Sequence, residues 1–361
     1  MHCAVLDLFA GAGGFTLGFE ISNDDGDVYW HPVAAVDNDP TAARTYQRNF
    51  GVVVHGVDIE ALDVSVLGRA DVVLASPPCQ GFSPLGIQRE PSERDALNSL
   101  WEHCLTVIRA QRPIAFAIEN VPEFHRSPQF CEFLRHMGND PILSRYGFAF
   151  GTLDAADYGT AQHRRRGVFV AVRGQRVAWP PPPTHHEGAL FGRCHTTVRE
   201  AISDLSPIPG SDSPMVTDEG TQDLHVQRPI NGVALERYKA IPPGGNRFDL
   251  QRNRPDIAYD CWLRKPAGST DVMGRMWWDR PAPTIRTDCR PEKGRYLHPE
   301  LDRPITLREA ARLQGFPDSF VFDGAPSAIA RQIGNAIPPP MAKAIALHIG
   351  AHTQVRASVM G

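Results

Sequence analysis

The sequence predicts an α/β protein with a second, irregular domain, and three observations lead to this prediction. Short apolar runs typical of buried strands alternate with helix-like segments over the first half of the chain. The first of these runs is followed at once by a glycine-rich turn at 10–14. The alternation ends at the segment Trp179-Pro180-Pro181-Pro182-Pro183, after which Pro, Gly and Arg are frequent as far as about residue 300.

Composition sets the bounds of the interpretation. The chain has 361 residues, of which 42% are hydrophobic and 22% are charged, so it can bury a sizeable core, divided between two domains. Its seven cysteines stand at positions 3, 79, 104, 131, 194, 261 and 289, without a CxxC pair. This pattern argues against a disulfide framework or a zinc knuckle and fits a reducing cytosol. Because no signal peptide and no apolar run of membrane-spanning length are found, we expect a soluble intracellular protein.

The net charge of −4 does not by itself indicate nucleic-acid binding. From residue 222 to 315 there are 17 Lys and Arg against 12 Asp and Glu, whereas the rest of the chain has 20 against 29. A basic segment in an acidic protein suits contact with phosphate, but a solvated face of mixed charge is an almost equal alternative.

The first predicted strand, residues 4–9, runs into the glycine turn at 10–14 and then into an amphipathic segment at 15–21. A strand, a glycine turn and a helix in this order bring backbone N–H groups and a helix N-terminus close to a ligand. A nucleotide-like ligand is one interpretation, and a plain turn is the other. The dinucleotide fingerprint is incomplete, because GxGxxG starting at Gly11 would need glycine where the chain has Thr16.

Acidic residues stand at the ends of the first three predicted strands. The second strand, 32–36, ends at Asp37, which is placed to bind a pair of ribose hydroxyls, and the third, 52–54, is followed by Asp58. A helix is predicted between these two strands, at 41–50. Each acid alone could cap a helix or face solvent. Together with the glycine turn, the acids indicate a nucleoside pocket along one edge of the sheet.

A fourth apolar run, 71–75, leads into the segment SPPCQGFS at 76–83. The two prolines cannot continue a sheet ladder, so the chain leaves the sheet at a rigid turn that carries the thiol of Cys79. The carboxyl end of a strand in an α/β sheet is where chemistry usually takes place. A buried structural cysteine is the alternative, which the polar, proline-bounded surroundings weaken. A core-facing helix is predicted next, at 95–110.

A fifth predicted strand, 113–118, ends in Glu119 and should neighbour the strand that precedes the thiol. Glu119 could then donate a proton close to a thiolate nucleophile, or it could serve as a cap or an ion-pair partner. Residues 146–172 predict a hairpin, whose second strand is preceded by the three arginines 164–166. At least one of these guanidinium groups should point into the site and bind an anion or a carbonyl oxygen.

The proline-rich part contains two segments that combine arginine with aromatic residues or flexible backbone, 241–247 and 274–280. Such segments suit contact with nucleic acid, although irregular protein–protein surfaces have the same composition. Regular structure returns with a helix whose capping box is formed by Thr306 and Glu309, and a final apolar helix is predicted at 341–349.

Six blocks of this sequence resemble the DNA (cytosine-5) methyltransferase family. They are DLFAGAGGF at 7–15, SPPCQGFS at 76–83, ENV at 119–121, QHRRR at 162–166, REAARLQGFP at 308–317 and QIGNA at 332–336. A single block would be a weak match, but six in the order usual for the family, spread over nearly the whole chain, are a very specific signal.

The resemblance implies a doubly wound, Rossmann-like sheet that binds S-adenosylmethionine, and a C-terminal helix that returns beside the first glycine turn. It implies a catalytic and cofactor-binding domain at 1–179, completed by 322–361, and a smaller target-recognition domain at 180–321. The residues implied for the cofactor pocket are Phe9, Gly11, Ala12, Gly14, Asp37, Asp58, Ile59, Pro78 and Asn335. Position 37 is often Glu in relatives, but the shorter Asp can still reach a ribose.

The same resemblance implies how the reaction proceeds. Cys79 adds to carbon 6 of cytosine, Glu119 stabilises the ring at N3, and Arg166, with Arg164 behind it, holds the carbonyl oxygen of the base. Carbon 5 then takes the methyl group, and loss of its proton expels Cys79. No metal is required, and the base has to be flipped out of the duplex.

The implied partner is double-stranded DNA, read by the irregular region, in which Pro283-Thr284-Ile285 resembles a short signature that positions the recognition loops. The target sequence itself is not readable from irregular loops. A tRNA methyltransferase of the same fold is the first alternative, a catalytically inactive DNA-binding protein is the second, and an NAD-dependent enzyme, disfavoured by Thr16, is the third. We expect a monomeric enzyme of the bacterial cytosol or nucleoid that protects host DNA beside a restriction endonuclease, with a solitary methyltransferase as the alternative.

Overall fold

The computed structural model describes residues 1–78, 99–188, 192–210, 215–216, 222–227, 229–264, 270, 272–290 and 294–359. The chain forms two compact units. The first unit comprises 1–158, 165–184 and 336–361, and the second comprises 159–164 and 185–335.

The chain passes between the units near residues 158, 164, 184 and 335, whereas the sequence suggested domain limits at 179 and 321. The proline-rich segment stays with the first unit because the Tyr158 hydroxyl donates to the Pro181 carbonyl at 3.0 Å and the Thr184 N–H donates to the Asp157 carbonyl at 3.0 Å. The helix Pro326–Asn335 belongs to the second unit, where it packs against the helix that precedes it.

The first unit is built on one sheet, which has seven strands within the described residues. They are β1 His2–Leu8, β2 Tyr29–Val36, β3 Val53–His55, β4 Val72–Ala75, β5 Ala115–Asn120, β6 Tyr146–Asp154 and β7 Arg165–Arg173. Their order is β3-β2-β1-β4-β5-β7-β6, with parallel pairing from β3 to β5 and antiparallel pairing of β7 with both β5 and β6. The predicted α/β class and the predicted hairpin are therefore confirmed.

The strand order reverses between β1 and β4, which is the kind of switch point where open α/β sheets bind ligands. The edge of the sheet at the carboxyl ends of β1 to β5 is called the carboxyl edge below, and the opposite edge is called the amino edge. The glycine turn follows β1 at the carboxyl edge, and the segment that leads to Cys79 follows β4 at the same edge.

Helices cover both faces of this sheet. They are α1 Gly14–Ile21, α2 Pro40–Phe50, α3 Trp101–Gln111, α4 Pro128–Asn139 and the C-terminal helix Pro339–Val359. Val73 and Ala75 of β4 lie in an apolar cluster with α3 and α4, whereas Val72 and Leu74 lie in a second cluster with α1 and the C-terminal helix. Because successive side chains of a strand point to opposite faces, both faces are buried, and the doubly wound architecture is confirmed.

The helices agree with the prediction to within one residue at α1 and at the start of α2, and they differ from it at α4 and at the C-terminal helix. Within the described residues α3 begins at Trp101, and the predicted start at 95 falls in 79–98, outside the described part. The C-terminal helix extends past the predicted 341–349. Helix α4 has no counterpart among the predicted elements, although the Ser127 hydroxyl caps it by accepting from the Phe130 N–H at 3.2 Å. No helix in the described part is both long and apolar enough to cross a membrane.

The second unit consists of short elements joined by loops. They are β8 His185–His186, β9 Arg193–Cys194, α5 Val198–Ile202, β10 Met215–Val216, β11 Gln222–Asp223, α6 Gly232–Lys239, α7 Arg247–Asn253, α8 Asp260–Arg264, β12 Gly274–Arg275, β13 Tyr296–Leu297, α9 Leu307–Gln314 and α10 Pro326–Asn335. The capping box predicted for α9 is confirmed, since the Thr306 hydroxyl accepts from the Glu309 N–H and the Glu309 carboxylate accepts from the Thr306 N–H.

A buried arginine organises the loops of the second unit. Arg275 is 5% exposed and pairs with Asp302 at 2.8 Å. Its guanidinium also donates to four backbone carbonyls, those of Tyr238, Ile241, His298 and Leu301. Since a guanidinium has five N–H donors in a fixed plane, one side chain here supplies the hydrogen bonds that a regular sheet would otherwise provide.

Candidate functional site

The glycine turn lies at the switch point of the sheet, directly after β1. Phe9 and Gly11 both have left-handed backbone, each with a φ of 55°. For the non-glycine Phe9 this conformation is unfavourable, and such residues are concentrated at functional turns. A Cβ placed on Gly11 would meet no atom of the described residues within 4 Å. The Ala10 N–H donates to the Val36 carbonyl at 3.1 Å, which fastens the turn to the end of β2.

Asp37 stands directly after β2 and holds the same turn. Its Oδ2 accepts a hydrogen bond from the Gly11 N–H at 2.8 Å, and its Oδ1 accepts one from the Asp39 N–H at 2.8 Å. Burial raises the pKa of this carboxyl. Each carboxylate oxygen has a second lone pair, so the group is still able to accept hydrogen bonds from two ribose hydroxyls.

Ala12 and Gly14 complete the turn and the start of α1. Ala12 is buried, and a Cβ on Gly14 would overlap the backbone oxygen of Ile337, just before the C-terminal helix. One helical turn later, a Cβ on Gly18 would overlap Ala342 in the same way. Glycine at 14 is therefore required by the close packing of α1 against the returning C-terminal segment, and the predicted return of that helix beside the turn is confirmed.

Asp58 and Ile59 follow β3 at the carboxyl edge. Asp58 is exposed, and its Oδ1 accepts a hydrogen bond from the Glu60 N–H at 3.2 Å, so it caps the short 3₁₀ turn Ile59–Ala61. Ile59 is 6% exposed and lies in the apolar cluster under β2. Capping was one of the two interpretations of an acid at this position, and the contact of Asp58 with an adenine stays a prediction.

These residues fit the adenosine part of S-adenosylmethionine. Three adjacent parallel strands, β1, β2 and β3, are followed at one edge of the sheet by Gly11, Asp37 and Ile59, respectively. A ribose needs paired acceptors and an adenine needs an apolar wall, and both are present along this edge.

Cys79 lies outside the described residues, together with the rest of its block after Pro78. The start of the block is described: Pro78 is half-buried, and the Pro77 carbonyl accepts a hydrogen bond from Asn120 Nδ2 at 3.1 Å. Asn120 is 3% exposed at the end of β5. Asn120 belongs to the ENV block, but the sequence did not predict its contact with the Cys79 loop. The hydrogen bond to the Pro77 carbonyl depends on which strand lies beside β5.

Glu119 and Arg166 form an ion pair next to this loop. The strand that carries Glu119 is the neighbour of β4, as predicted, with Ala75 paired to Ile118. Arg166 projects from β7, and its Nε lies 2.7 Å from Glu119 Oε1. Both side chains are largely buried, at 15% exposure for Arg166 and 10% for Glu119. A charge-assisted pair of this kind fixes the carboxylate at the carboxyl edge.

Arg164 and Asn335 belong to the second unit. Arg164 is 1% exposed, and its terminal nitrogens donate to the carbonyls of Ile285 at 2.9 Å and Gly334 at 2.7 Å. These contacts make Arg164 an architectural residue, and its action on a base stays a prediction. Asn335 is the exposed last residue of α10, and its part in the cofactor pocket likewise stays a prediction.

The second unit contains a cavity of about 710 Å³ that joins the two segments predicted to contact nucleic acid, 241–247 and 274–280. Trp277 lines this cavity and is 44% exposed. A Cβ on Gly244 would overlap the ring of Trp277, and the guanidinium of Arg280 lies 5.2 Å from the centroid of that ring. The segments therefore present a flat aromatic surface next to a positive charge.

Comparisons with known proteins agree with this geometry. Residues 3–351 match the family model described as C-5 cytosine-specific DNA methylase. The chain is 31% identical to the type II methylase M.HgiDII of Herpetosiphon aurantiacus, with 99% of each chain covered. It is 30% identical to the type II methyltransferase M1.HphI of Haemophilus parahaemolyticus, with 96% of this chain and 86% of the relative covered. A solved structure described as a DNA modification methyltransferase encoded within an E. coli prophage has the same fold, with a TM-score of 0.73 and 22% identity over 98% of this chain and 99% of that one.

Proposed function

The chain belongs to the C-5 cytosine-specific DNA methylase family, and we propose that it methylates carbon 5 of a flipped-out cytosine in a specific duplex sequence through a covalent bond to Cys79. As a member of this family it is an S-adenosylmethionine-dependent DNA cytosine-5 methyltransferase. The observation that carries the mechanistic proposal is the ion pair of Glu119 and Arg166, at the edge where Asn120 holds the start of the Cys79 loop.

Carbon 5 of cytosine is too weak a nucleophile to take a methyl group directly. Attack by the Cys79 thiolate forms a bond from sulfur to carbon 6 and moves electron density to carbon 5 and N3. Glu119 presents a carboxyl group that can bind or protonate N3, while Arg166 holds its Oε1. After carbon 5 has gained the methyl group, its proton leaves to a base, the bond from sulfur to carbon 6 breaks, and the thiolate is restored.

The target base has to leave the duplex, because carbon 6 is not accessible to a protein nucleophile inside a base stack. Flipping costs about a few kcal/mol, which contacts to the extrahelical base must offset. Arg166 has five N–H donors, of which Nε faces Glu119 and Nη1 donates to the Arg165 carbonyl at 2.8 Å. We assign its remaining donor capacity to the carbonyl oxygen of the base.

When bound, S-adenosylmethionine supplies a methyl group on a positively charged sulfur. Asp37 would accept the ribose hydroxyls, and the turn with Phe9, Gly11, Ala12 and Gly14 would lie against the rest of the molecule. The residues expected to complete the pocket are Asp58, Ile59, Pro78 and Asn335.

We assign sequence recognition to the second unit. The excess of Lys and Arg over Asp and Glu at 222–315 favours contact with phosphates, and the exposed ring of Trp277 offers a surface for a base or a sugar. The irregular loops around Arg275 carry side chains without the constraints of a sheet, as variable recognition surfaces require.

The biological role we propose is protection of host DNA in a restriction-modification system, acting as a monomer in the bacterial cytosol. The support is that relatives such as M.HgiDII are type II methylases. A solitary DNA methyltransferase and a tRNA methyltransferase of the same fold are the alternatives.

Expression in a methylation-free host, followed by genome-wide mapping of 5-methylcytosine, tests the substrate and the target sequence together. A duplex with 5-fluorocytosine at the mapped position then tests the covalent step, because fluorine cannot leave carbon 5 and the adduct with Cys79 should survive denaturing electrophoresis. The same assay on tRNA separates the alternatives. Methylation of tRNA without methylation of DNA would overturn the proposed substrate.

A further inference from the structure

Three buried polar side chains lie beneath the glycine turn and take no part in the chemistry above. Asp7, Thr16 and Tyr46 are each 0% exposed. Thr16 Oγ1 lies 2.7 Å from Asp7 Oδ2 and 2.7 Å from the Tyr46 hydroxyl. The three residues come from β1, α1 and α2, so they join the elements that surround the turn.

The direction of the hydrogen bonds follows from the number of protons. When Asp7 is ionised, the Thr16 hydroxyl donates its single proton to Asp7 Oδ2, so the bond between the two hydroxyls then has Tyr46 as the donor. Asp7 Oδ1 is buried and has no hydrogen-bond partner within the described residues. The buried carboxyl therefore depends on the single bond from Thr16, and Tyr46 in turn fixes the Thr16 hydroxyl.

Tyr46 also supports the turn by packing. Gly13 has a φ of 92°, and a Cβ at that position would overlap the rings of Phe50 and Tyr46. Tyr46 shares a small apolar cluster with Ala10 of the turn and Ala35 of β2. The ring of Tyr46 thus lies directly against the backbone of the turn, and the relay through Thr16 sets the position of its hydroxyl.

The same helix connects the turn to the ribose carboxylate. Helix α2, which carries Tyr46, begins at Pro40, immediately after the segment in which Asp37 binds the Gly11 N–H. A shift of Tyr46 would therefore move the turn and the start of α2 relative to each other. Position 16 is also where a dinucleotide fingerprint would have its third glycine, and this chain uses it for a hydroxyl.

We propose that Thr16 and Tyr46 are positioning residues for S-adenosylmethionine. The relay from Tyr46 through Thr16 to Asp7 holds the glycine turn and the Asp37 carboxylate in the arrangement that the cofactor needs. This inference deepens the proposed function and rests on it for the identity of the cofactor.

The test uses Thr16→Val, Thr16→Ser and Tyr46→Phe, with binding of S-adenosylmethionine measured by titration calorimetry. We expect the dissociation constant to rise about tenfold for Thr16→Val, because the buried Asp7 carboxyl loses its hydrogen-bond donor. We expect a rise of about a few-fold for Tyr46→Phe, because the Thr16 hydroxyl loses the hydrogen bond from Tyr46. Thr16→Ser keeps the hydroxyl and should bind within about twofold of wild type.

Tyr146→Phe is the matched control. Tyr146 is also a buried tyrosine, 4% exposed, and its hydroxyl donates to the Pro113 carbonyl at 2.6 Å at the amino edge. This variant should lose thermal stability as Tyr46→Phe does, while its affinity for S-adenosylmethionine stays at the wild-type value. A purely structural relay would instead give the same stability loss and unchanged affinity in both tyrosine variants, and that result would overturn the proposal.

If Thr16→Val does not fold, Tyr46→Phe alone tests the proposal, because this variant keeps the aromatic ring and removes only the hydroxyl oxygen. The inference is supported if the wild-type protein binds S-adenosylmethionine and the variants bind it more weakly. If in that case no DNA is methylated, only the proposed function fails. Wild-type protein that does not bind S-adenosylmethionine overturns the inference.

Discussion

Pro77 and Pro113 each present a carbonyl oxygen at an edge of the same sheet, and each accepts a hydrogen bond from a buried side chain. At the carboxyl edge the donor is Asn120 Nδ2, at 3.1 Å, and at the amino edge it is the Tyr146 hydroxyl, at 2.6 Å. Both donors are almost fully buried. What differs is the chain that follows: Pro77 leads out of the sheet toward Cys79, whereas Pro113 leads into β5.

Carboxylates show the same difference between the edges. At the amino edge, Asp140 accepts from the N–H groups of Ile142 and Leu143 and pairs with Arg109 at 2.7 Å, which closes a turn between two elements. At the carboxyl edge, Asp37 holds the glycine turn. Loss of a polar group at the amino edge should therefore cost stability alone, whereas loss at the carboxyl edge should also cost ligand binding or catalysis.

The largest effect is expected at the carboxyl edge, from Cys79→Ala. Without the thiolate, carbon 5 of cytosine is not activated, so methyl transfer should fall below detection while the affinity for S-adenosylmethionine stays near normal. Transfer of labelled methyl groups to duplex DNA and calorimetry measure the two quantities. Cys104→Ala, at a buried core thiol, should lower thermal stability and retain activity. Appreciable transfer by Cys79→Ala would contradict the covalent mechanism.

Asp37→Ala should have the second largest effect, on the cofactor. The change removes the acceptor of the Gly11 N–H and the proposed ribose ligand, so the dissociation constant for S-adenosylmethionine should rise about 10- to 100-fold. Asp140→Ala removes a carboxylate that also accepts two backbone N–H groups, but at the amino edge, and should bind the cofactor normally. Equal affinities of the two variants in calorimetry would refute the assignment of Asp37.

Asn120→Ala should slow methyl transfer without weakening cofactor binding. The Pro77 carbonyl would lose its donor, the start of the Cys79 loop would be less well fixed, and kcat should fall about tenfold, since small misplacements of a nucleophile are costly. Tyr146→Phe frees a proline carbonyl at the other edge and should leave kcat unchanged. A kcat for Asn120→Ala equal to that of wild type would show that the hydrogen bond to Pro77 has no bearing on the reaction.

The carboxyl edge was also the more predictable part of the molecule. Asp37 and Glu119 follow or end apolar runs directly, so their positions in the sequence fix their positions in the sheet. Partners that are distant in sequence were not predictable. The bond of Asn120 to Pro77 depends on β5 lying beside β4, and the bond of Tyr46 to Thr16 depends on how α2 packs against α1.

The second unit shows the same limit more strongly. The capping box of Thr306 and Glu309 spans four positions, and local sequence was enough to predict it. The carbonyls bound by Arg275 lie more than twenty positions away in the sequence, and Arg164 binds carbonyls more than a hundred positions away. Sequence patterns predict the local conformation of a segment, whereas the partners of these arginines depend on which distant segments the fold brings close to them.

The smallest effect is a pH dependence of stability that arises from Asp7, below the glycine turn. Burial raises the pKa of the Asp7 carboxyl to about 7, against the opposing effect of the hydrogen bond from Thr16. The native state therefore holds this proton more tightly than the unfolded chain does. The stabilising contribution of Asp7 is complete below its ordinary pKa of 3.8, decreases as the pH rises, and is lost once the pH passes about 7.

Asp7→Asn isolates this contribution, because the amide cannot ionise. Between pH 4 and pH 7 the Tm of wild type should fall relative to that of Asp7→Asn by roughly a few degrees, and above pH 7 the difference should be constant. The comparison has to be made as a difference between the two proteins, since burial also raises the pKa of Asp37 and Glu20. A difference that does not change with pH would mean that Asp7 is ionised over the whole range, and the carboxyl would then bind Thr16 as an anion beneath the turn.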